Sequence, residues 1–150
     1  MPISITYLSS ATGTWTPAAL EDLLEQCRTN NAADGVTGVL LYAGGSFVQT
    51  LEGPAEAVDA VMAKVRQDPR HRDVDVLRRG EVAERSFADW SMGFRQVPEQ
   101  RLHEVPGFTD YLRTGHVESA VARDDAVATI HRLFRDQMRD PLAPGAGPAD

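Results

Sequence analysis

Residues 35–53 limit the possible folds of this chain more than any other stretch. They comprise an aliphatic run over residues 36–43, the pair Gly44-Gly45 and a second apolar run over residues 46–52. Glycine readily adopts the positive φ angles of tight turns, so two such runs separated by two glycines are typical of a β-hairpin. The chain is therefore expected to build a sheet around this hairpin.

Gln49 is the unusual residue of the second run. It alternates in phase with Phe47 and Leu51, and side chains two apart in a strand share a face. An amide is thus predicted among apolar neighbours, where an unmet hydrogen bond costs about 1–3 kcal/mol. The segment alone favours a structural glutamine that bonds to backbone.

The remaining elements follow from apolar periodicity and from capping residues. They are a strand over residues 3–9, a helix opened by Thr16-Pro17 and ending near residues 30–35, a helix from Gly53-Pro54 to Asp68-Pro69, a strand over residues 74–82 and a short strand over residues 90–95. The order β-α-β-β-α-β plus one strand predicts an α+β, ferredoxin-like fold with two helices on one face of a mixed sheet.

This topology brings two polar side chains together. Right-handed crossovers place the first and third strands side by side, and we expect them to run parallel. Tyr7 and Gln49 both fall in the phase that faces the helices. A phenol and an amide buried side by side are expected to form a hydrogen-bonded pair.

Six short motifs occur in a fixed order: ITYLSS at 5–10, NN at 30–31, GVTGVLLY at 35–42, FVQTLEG at 47–53, DPRH at 68–71 and RSFADWSMGF at 85–94. With this set the sequence resembles the BLUF domain family of flavin-binding blue-light sensors, over roughly residues 3–95. The resemblance implies that FAD binds non-covalently between the two helices. It also implies that light rearranges a hydrogen-bond network formed by Tyr7, Gln49 and the flavin.

The resemblance assigns photoactive roles to five side chains: Tyr7, Gln49, Trp90, Met92 and Ser9. In the family the tyrosine is the redox partner of the flavin, and the glutamine bridges the phenol to the flavin N5/O4 edge. Trp90 and Met92 match positions that exchange places near the glutamine. Taken alone, each of these residues is more typical of a hydrophobic core or of a strand end.

The resemblance assigns cofactor binding to Tyr7, Asn30, Asn31, Gln49, Arg70 and His71. Asn31 would bind the pyrimidine edge of the flavin, whereas the residue alone suggests a helix cap. Asn30 is either a cap or a cofactor contact. Arg70 and His71 would flank the ribityl or phosphate part, although a solvated basic end of a helix explains them equally well.

The composition limits the classes of molecule that this chain is expected to bind. The net charge is −7, and Arg78-Arg79 is the main basic pair, so direct nucleic-acid binding is not expected. Neither a membrane span nor a signal pattern is recognisable, and the single Cys27 suits a reducing compartment, so a cytoplasmic location is expected. The histidines show no metal-ligand spacing, and we expect no metal.

The residues after position 95 are predicted to form an appendage to the sensor. We divide the chain into a sensor over residues 1–95, a helical extension over residues 96–139 and a disordered tail over residues 140–150. A helix is predicted over residues 124–138, with an apolar stripe formed by Val127, Ile130, Leu133, Phe134 and Met138. This stripe is expected on the free outer face of the sheet, either as the output element or simply as part of the fold.

The combined prediction is a blue-light photoreceptor without catalytic activity. Output is expected through an unidentified downstream protein or through rearrangement of a homo-oligomer. One alternative is an acylphosphatase-like hydrolase, but that chemistry needs an arginine in the loop after the first strand, and SSATGTW has none. Another alternative is a light-inactive scaffold for protein contacts.

Overall fold

The computed structural model describes residues 1–13, 16–88 and 92–138. A mixed five-stranded sheet has the strand order β4-β1-β3-β2-β5. The strands are β1 (Ile3–Ala11), β2 (Thr37–Ala43), β3 (Ser46–Gly53), β4 (His71–Glu81) and β5 (Gly93–Gln96). The helices are α1 (Pro17–Asp34), α2 (Ala55–Gln67), α3 (Glu99–Leu102), α4 (Phe108–Thr114) and α5 (Ala120–Met138). The predicted α+β, ferredoxin-like order of elements is confirmed.

The direction of β3 corrects one expectation. β1 and β3 are neighbours, as predicted, but they run antiparallel, with Tyr7 directly opposite Gln49. The crossover through α1 joins β1 to β2, and the hairpin then returns β3 into the position between them. β3 is therefore antiparallel to both neighbours. Side-chain parity does not depend on strand direction, so the predicted pairing of Tyr7 with Gln49 survives.

Local signals set both ends of α1. The Thr16 hydroxyl accepts a hydrogen bond from the Ala19 amide at 3.1 Å, which caps the amino end as predicted. At the other end Gly35 adopts φ +72°, and its amide donates to the Asn31 carbonyl. Glycine rather than the Asn31 side chain thus ends the helix, which leaves that amide available for another partner.

The two faces of the sheet carry separate cores. α1 and α2 cover the inner face, whose buried residues include Ile5, Tyr7 and Phe47. The helices after β5 cover the outer face, where Leu8 and Val48 belong to the other cluster. Because successive strand residues point to opposite faces, each central strand contributes to both layers.

The predicted apolar stripe of the last helix packs on that outer face. Val127, Ile130, Leu133 and Phe134 are all buried there. The helix begins at Ala120 rather than at residue 124, and the short helices α3 and α4 precede it. The side chain of Met138 and the predicted tail at residues 140–150 lie outside the described residues.

The strands differ from their predicted bounds most clearly at β4 and β5. β4 begins at His71, three residues early, because the end of β1 pairs with it in the register Ala11↔His71. Asp73 has φ +52° and the β1–β4 register shifts between Leu8 and Ser10, an irregularity that alternation cannot reveal. β5 begins at Gly93, while the predicted start at Trp90 lies outside the described residues.

None of the helices within the described ranges is long and apolar enough to cross a membrane.

Candidate functional site

A cavity lies between the inner face of the sheet and the two helices α1 and α2. It holds about 810 Å³ of space free of protein atoms, counted out to its open mouth. Its walls are Tyr7, Leu23, Gln26, Cys27, Asn30, Asn31, Leu40, Gln49, Val61, Lys64, Val65, Asp68, Arg70 and His71. An apolar cavity with a few convergent polar groups is the usual form of a small-molecule site.

Tyr7 and Gln49 form the polar centre of the cavity wall. Their strand positions are directly opposite, and the Tyr7 hydroxyl donates a hydrogen bond to Oε1 of Gln49. Burial raises the pKa of Tyr7, and the nearby Cys27 and Asp68 act in the same direction. The phenol is therefore neutral and keeps its proton on the bond to Gln49.

The other end of the Gln49 amide contacts Met92. Nε2 of Gln49 donates to Sδ of Met92 at 3.3 Å, and both side chains are buried. The Met92 carbonyl in turn accepts from the Arg28 guanidinium at 3.4 Å. A continuous polar chain thus runs from Tyr7 through Gln49 to Met92, and any rotation of the amide changes both of its ends.

Asn31 carries an unused hydrogen-bond donor. Its side chain is 2% exposed, and within the described part of the chain its Nδ2 has no hydrogen-bond partner. A buried polar atom left unpaired costs about 1–3 kcal/mol, so such atoms are rare without a reason. Asn31 lines the cavity, which places this donor where a ligand acceptor would satisfy it. Asn30 also lines the cavity but is exposed.

The segment after α2 supplies charge at the cavity. Arg70 is held by Asp68, with Nη2 to Oδ2 at 2.7 Å, and this pairing lowers the pKa of Asp68. His71 is mostly buried, which lowers its pKa and favours the neutral ring. Its Nδ1 lies 2.9 Å from the Ser9 hydroxyl, and its ring packs against Phe47 with centroids 5.0 Å apart.

The structure brings all six predicted cofactor residues, Tyr7, Asn30, Asn31, Gln49, Arg70 and His71, to this one cavity. Two further predicted residues reach it through a neighbour: Met92 contacts Gln49, and Ser9 contacts His71. Trp90 lies outside the described residues.

Sequence reasoning missed three polar wall residues, Gln26, Lys64 and Asp68. Gln26 and Lys64 each follow an apolar stripe residue, Leu23 and Val61, by three positions. That spacing places them at the edge of the same helix face, so it is a sequence signal that could have identified these two residues. The sequence presents Asp68 as the end of α2 and as part of the DPRH motif, without indicating a place in the cavity wall.

Comparison with protein-family models decides the family. Residues 3–93 match the model described as BLUF, sensors of blue-light using FAD, which covers more than half of the 150 residues. The chain belongs to the BLUF family. The predicted resemblance is therefore confirmed, and the family's members are blue-light sensors whose chromophore is FAD.

BLUF relatives include parts of larger proteins. The chain is 37% identical to the photoactivated adenylate cyclase subunit beta of Euglena longa over 110 residues, which are 73% of this chain and 13% of that protein. The Euglena gracilis subunit beta is 36% identical over 110 residues, with the same two coverages of 73% and 13%. The chain thus spans about 13% of the length of these relatives.

Solved BLUF structures share the fold. The dark-state structure of BlrB, a BLUF protein, is 31% identical with a TM-score of 0.69, and the match covers 91% of this chain and 97% of that one. Klebsiella pneumoniae BlrP1 with FMN and cyclic diGMP is 31% identical with a TM-score of 0.61, covering 96% of this chain and 38% of that one.

The residues of the cavity fit a flavin dinucleotide. Leu23, Leu40 and Val61 offer apolar walls for a planar ring system, and the unpaired Nδ2 of Asn31 matches the carbonyl acceptors on its pyrimidine edge. Lys64 and Arg70 are cations on the same cavity, as phosphate groups require.

Proposed function

We propose that this chain is a blue-light photoreceptor that holds FAD non-covalently in the cavity between α1 and α2. Light would rearrange the hydrogen-bond network of Tyr7, Gln49 and the flavin. The observation that carries the proposal is the buried chain from Tyr7 through Gln49 to Met92, in the wall of a cavity where the Asn31 donor lacks a partner among the described residues.

Bound FAD would absorb blue light, and the excited flavin would be a strong oxidant. Tyr7 would be the residue that gives up an electron to the excited flavin, and its hydroxyl proton would leave along the bond to Oε1 of Gln49. Gln49 could respond by rotation or tautomerisation, because its amide has a donor end and an acceptor end. Return of the electron and the proton to Tyr7 would leave no net product. What persists for a time is a changed set of bonds around Gln49.

The binding roles follow from the family resemblance together with a place in the cavity wall. Asn31 would bind the pyrimidine edge, with help from the exposed Asn30. Arg70, fixed by Asp68, and Lys64 would hold the phosphate part. His71, held by Ser9, would contact the ribityl part.

The proposal also covers the output. The chain itself catalyses no reaction and passes its signal to a separate protein or to another copy of itself, in the cytoplasm and without direct contact to nucleic acid or membrane. Residues 1–95 would form the sensor and residues 96–139 the extension, while residues 140–150 lie outside the described residues. Support comes from the family match, which ends at residue 93, and from the net charge of −7, which disfavours polyanions.

One experiment tests the proposal. Protein purified in the dark should be yellow, and its flavin absorption should shift to the red under blue light and return in the dark. Chromatography of the flavin released on denaturation then distinguishes FAD from FMN. A purified protein that takes up no flavin would make it a protein-interaction scaffold, and bound flavin without a reversible shift would overturn the photoreceptor assignment.

A further inference from the structure

The outer face of the sheet carries a polar cluster directly behind the photoactive pair. Thr6 and Thr50 are the chain neighbours of Tyr7 and Gln49, and they point to the opposite face. Their hydroxyls are 2.7 Å apart. Nε2 of His131, on α5, lies 3.1 Å from the Thr6 hydroxyl and 3.2 Å from the Thr50 hydroxyl.

A second connection reaches the same histidine from the segment that leads to Met92. Glu52 accepts hydrogen bonds from the Ser86 amide at 3.1 Å and from the Phe87 amide at 2.7 Å. The Phe87 ring then meets His131 edge-on, with centroids 5.5 Å apart. His131 therefore contacts both the strands of the photoactive pair and the segment preceding Met92.

We propose that His131 is a positioning residue that couples α5 to the hydrogen-bond state of Tyr7 and Gln49. Its bonds to Thr6 and Thr50 hold α5 in its dark position, and a shift of the strands at Tyr7 and Gln49 weakens them. This inference rests on the proposed photoreceptor function and names the path by which that site regulates the last helix.

The proposed coupling depends on the difference between directional hydrogen bonds and non-directional apolar contacts. Ile130 and Phe134 pack against the sheet through apolar surface, which tolerates displacements of a few tenths of an ångström. A single Nε2 atom that shares its one hydrogen or one lone pair between two hydroxyls on two strands is sensitive to such displacements, because hydrogen bonds weaken steeply with angle and distance. A polar cleft lined by Ser4, Arg78 and other residues adjoins His131 and gives the ring room to move.

Another polar attachment of α5 lies at the beginning of the helix. Arg123 donates to the Val76 carbonyl at 2.6 Å and to Asp75 at 2.8 Å, both on β4. It fixes the beginning of the helix, so loss of the His131 bonds would displace the later turns without detaching the whole of α5.

The test compares amide hydrogen exchange of α5 in the dark and under continuous blue light, with the absorption red shift recorded on the same samples. For the unaltered protein we expect exchange in α5 to rise at least about fivefold in light, the lower range of usual allosteric coupling. His131→Phe keeps a ring against Phe87 but loses Nε2. The double variant Thr6→Val, Thr50→Val removes the two hydroxyls and leaves α5 unaltered.

Both variants should keep the red shift and lose the difference in α5 exchange between dark and light. The matched control is Thr129→Val, the same change at a buried threonine on α5 for which no bond to Thr6 or Thr50 occurs, and it should behave like the parent. If His131→Phe does not fold, the double threonine variant decides the question.

Three results have distinct meanings. A red shift in the parent with no light effect on α5 would overturn the coupling and leave the photoreceptor function standing. Coupling that persists in the double threonine variant would also overturn it. A parent without a red shift would overturn the proposed function itself and, with it, this inference.

Discussion

At the scale of single residues, three buried polar side chains on the inner side of the sheet line the candidate cofactor cavity. Tyr7 is 1% exposed, and burial holds its pKa well above the ordinary value, so its proton is available at neutral pH. Gln49 is bonded at both ends of its amide. Asn31 has one donor that lacks a partner within the described residues. These three side chains give the sharpest predictions.

Replacing Tyr7 by phenylalanine keeps the ring but removes the hydroxyl that donates to Gln49. We expect flavin to remain bound, because the apolar cavity walls are intact, while the reversible red shift disappears. Absorption spectra before and after blue light measure both. A variant that cycles like the parent would show that another residue is the redox partner.

Gln49→Leu keeps the bulk of the side chain but cannot hydrogen-bond. The red shift should be lost, because no group remains to change its bonding between Tyr7 and Met92. The free energy of unfolding should fall by about 1–3 kcal/mol, since the buried Tyr7 hydroxyl loses its acceptor. A normal light-minus-dark spectrum would contradict the assigned role.

Asn31→Leu tests the unpaired donor. We expect FAD affinity to fall by roughly two- to tenfold, the equivalent of one hydrogen bond. The flavin-free protein should become more stable, by up to about 1–3 kcal/mol, because the variant no longer buries a donor that lacks a partner within the described residues. Titration with FAD and urea unfolding measure the two quantities. The control is Asn30→Leu at the neighbouring exposed position, where a smaller loss is expected.

At the scale of elements, α5 is integral to the outer layer. Its four stripe residues Val127, Ile130, Leu133 and Phe134 are buried in the outer core. Burial of each such side chain contributes about 1.5–3 kcal/mol, a sum that approaches the whole stability of an ordinary domain. Removing the helix would therefore disrupt the fold, and point substitutions are the better probe of its role in output.

Phe134→Ala measures how strongly α5 is attached. The side chain is fully buried and meets Phe87 edge-on at 5.6 Å, so we expect a loss of about 3–5 kcal/mol in the free energy of unfolding. Leu112→Ala on α4 is the control, since Leu112 is 44% exposed and should cost far less. Similar losses in the two variants would show that α5 packs only loosely on the sheet.

At the scale of the whole molecule, helices cover both faces of one sheet and form a separate layer on each face. The inner layer holds the candidate cofactor cavity and the outer layer holds α5, while β1 and β3 alternate between them. Neighbouring residues such as Tyr7 and Thr6 thus belong to opposite layers although they share a backbone. Along β1 and β3, the residue that faces the cavity and the residue that faces the outer layer are therefore direct neighbours in the chain.

The stability of the whole molecule should depend on pH through His131. Burial, aided by Arg135 and Arg78, lowers its pKa to about 4 from the ordinary 6.5, while Glu52 and Glu81 line the adjoining cleft. Between these two pH values the unfolded chain binds more protons than the folded one. The free energy of unfolding must therefore fall as the pH drops from 6.5 towards 4.

Urea unfolding of the parent and of His131→Phe at pH 7.5 and pH 5 measures this contribution. The parent should lose more stability than the variant, and the lowered pKa of His71 acts in both proteins and cancels. Equal losses in the two proteins would show that His131 is not buried in its neutral form.

The sequence by itself determined the hairpin, the limits of α1 and the common face of Tyr7 and Gln49. These features depend on local physics: glycine at positive φ, a threonine cap before proline and the two-residue period of a strand. The motifs also pointed to six residues that the structure brings to the cavity, Tyr7, Asn30, Asn31, Gln49, Arg70 and His71, but they did not point to Lys64.

Only the tertiary structure decided the rest. The antiparallel direction of β3 and the early start of β4 at His71 depend on which segments meet in space. The same is true of the Asn31 donor, which has no partner in the part of the chain that the structure describes. The contacts of His131 with Thr6 and Thr50 join residues 125 and 81 positions apart. No local period or cap encodes such contacts, because they arise only when α5 packs on the outer face. His131 therefore lies directly behind Tyr7 and Gln49, although the sequence gives it no recognisable spacing.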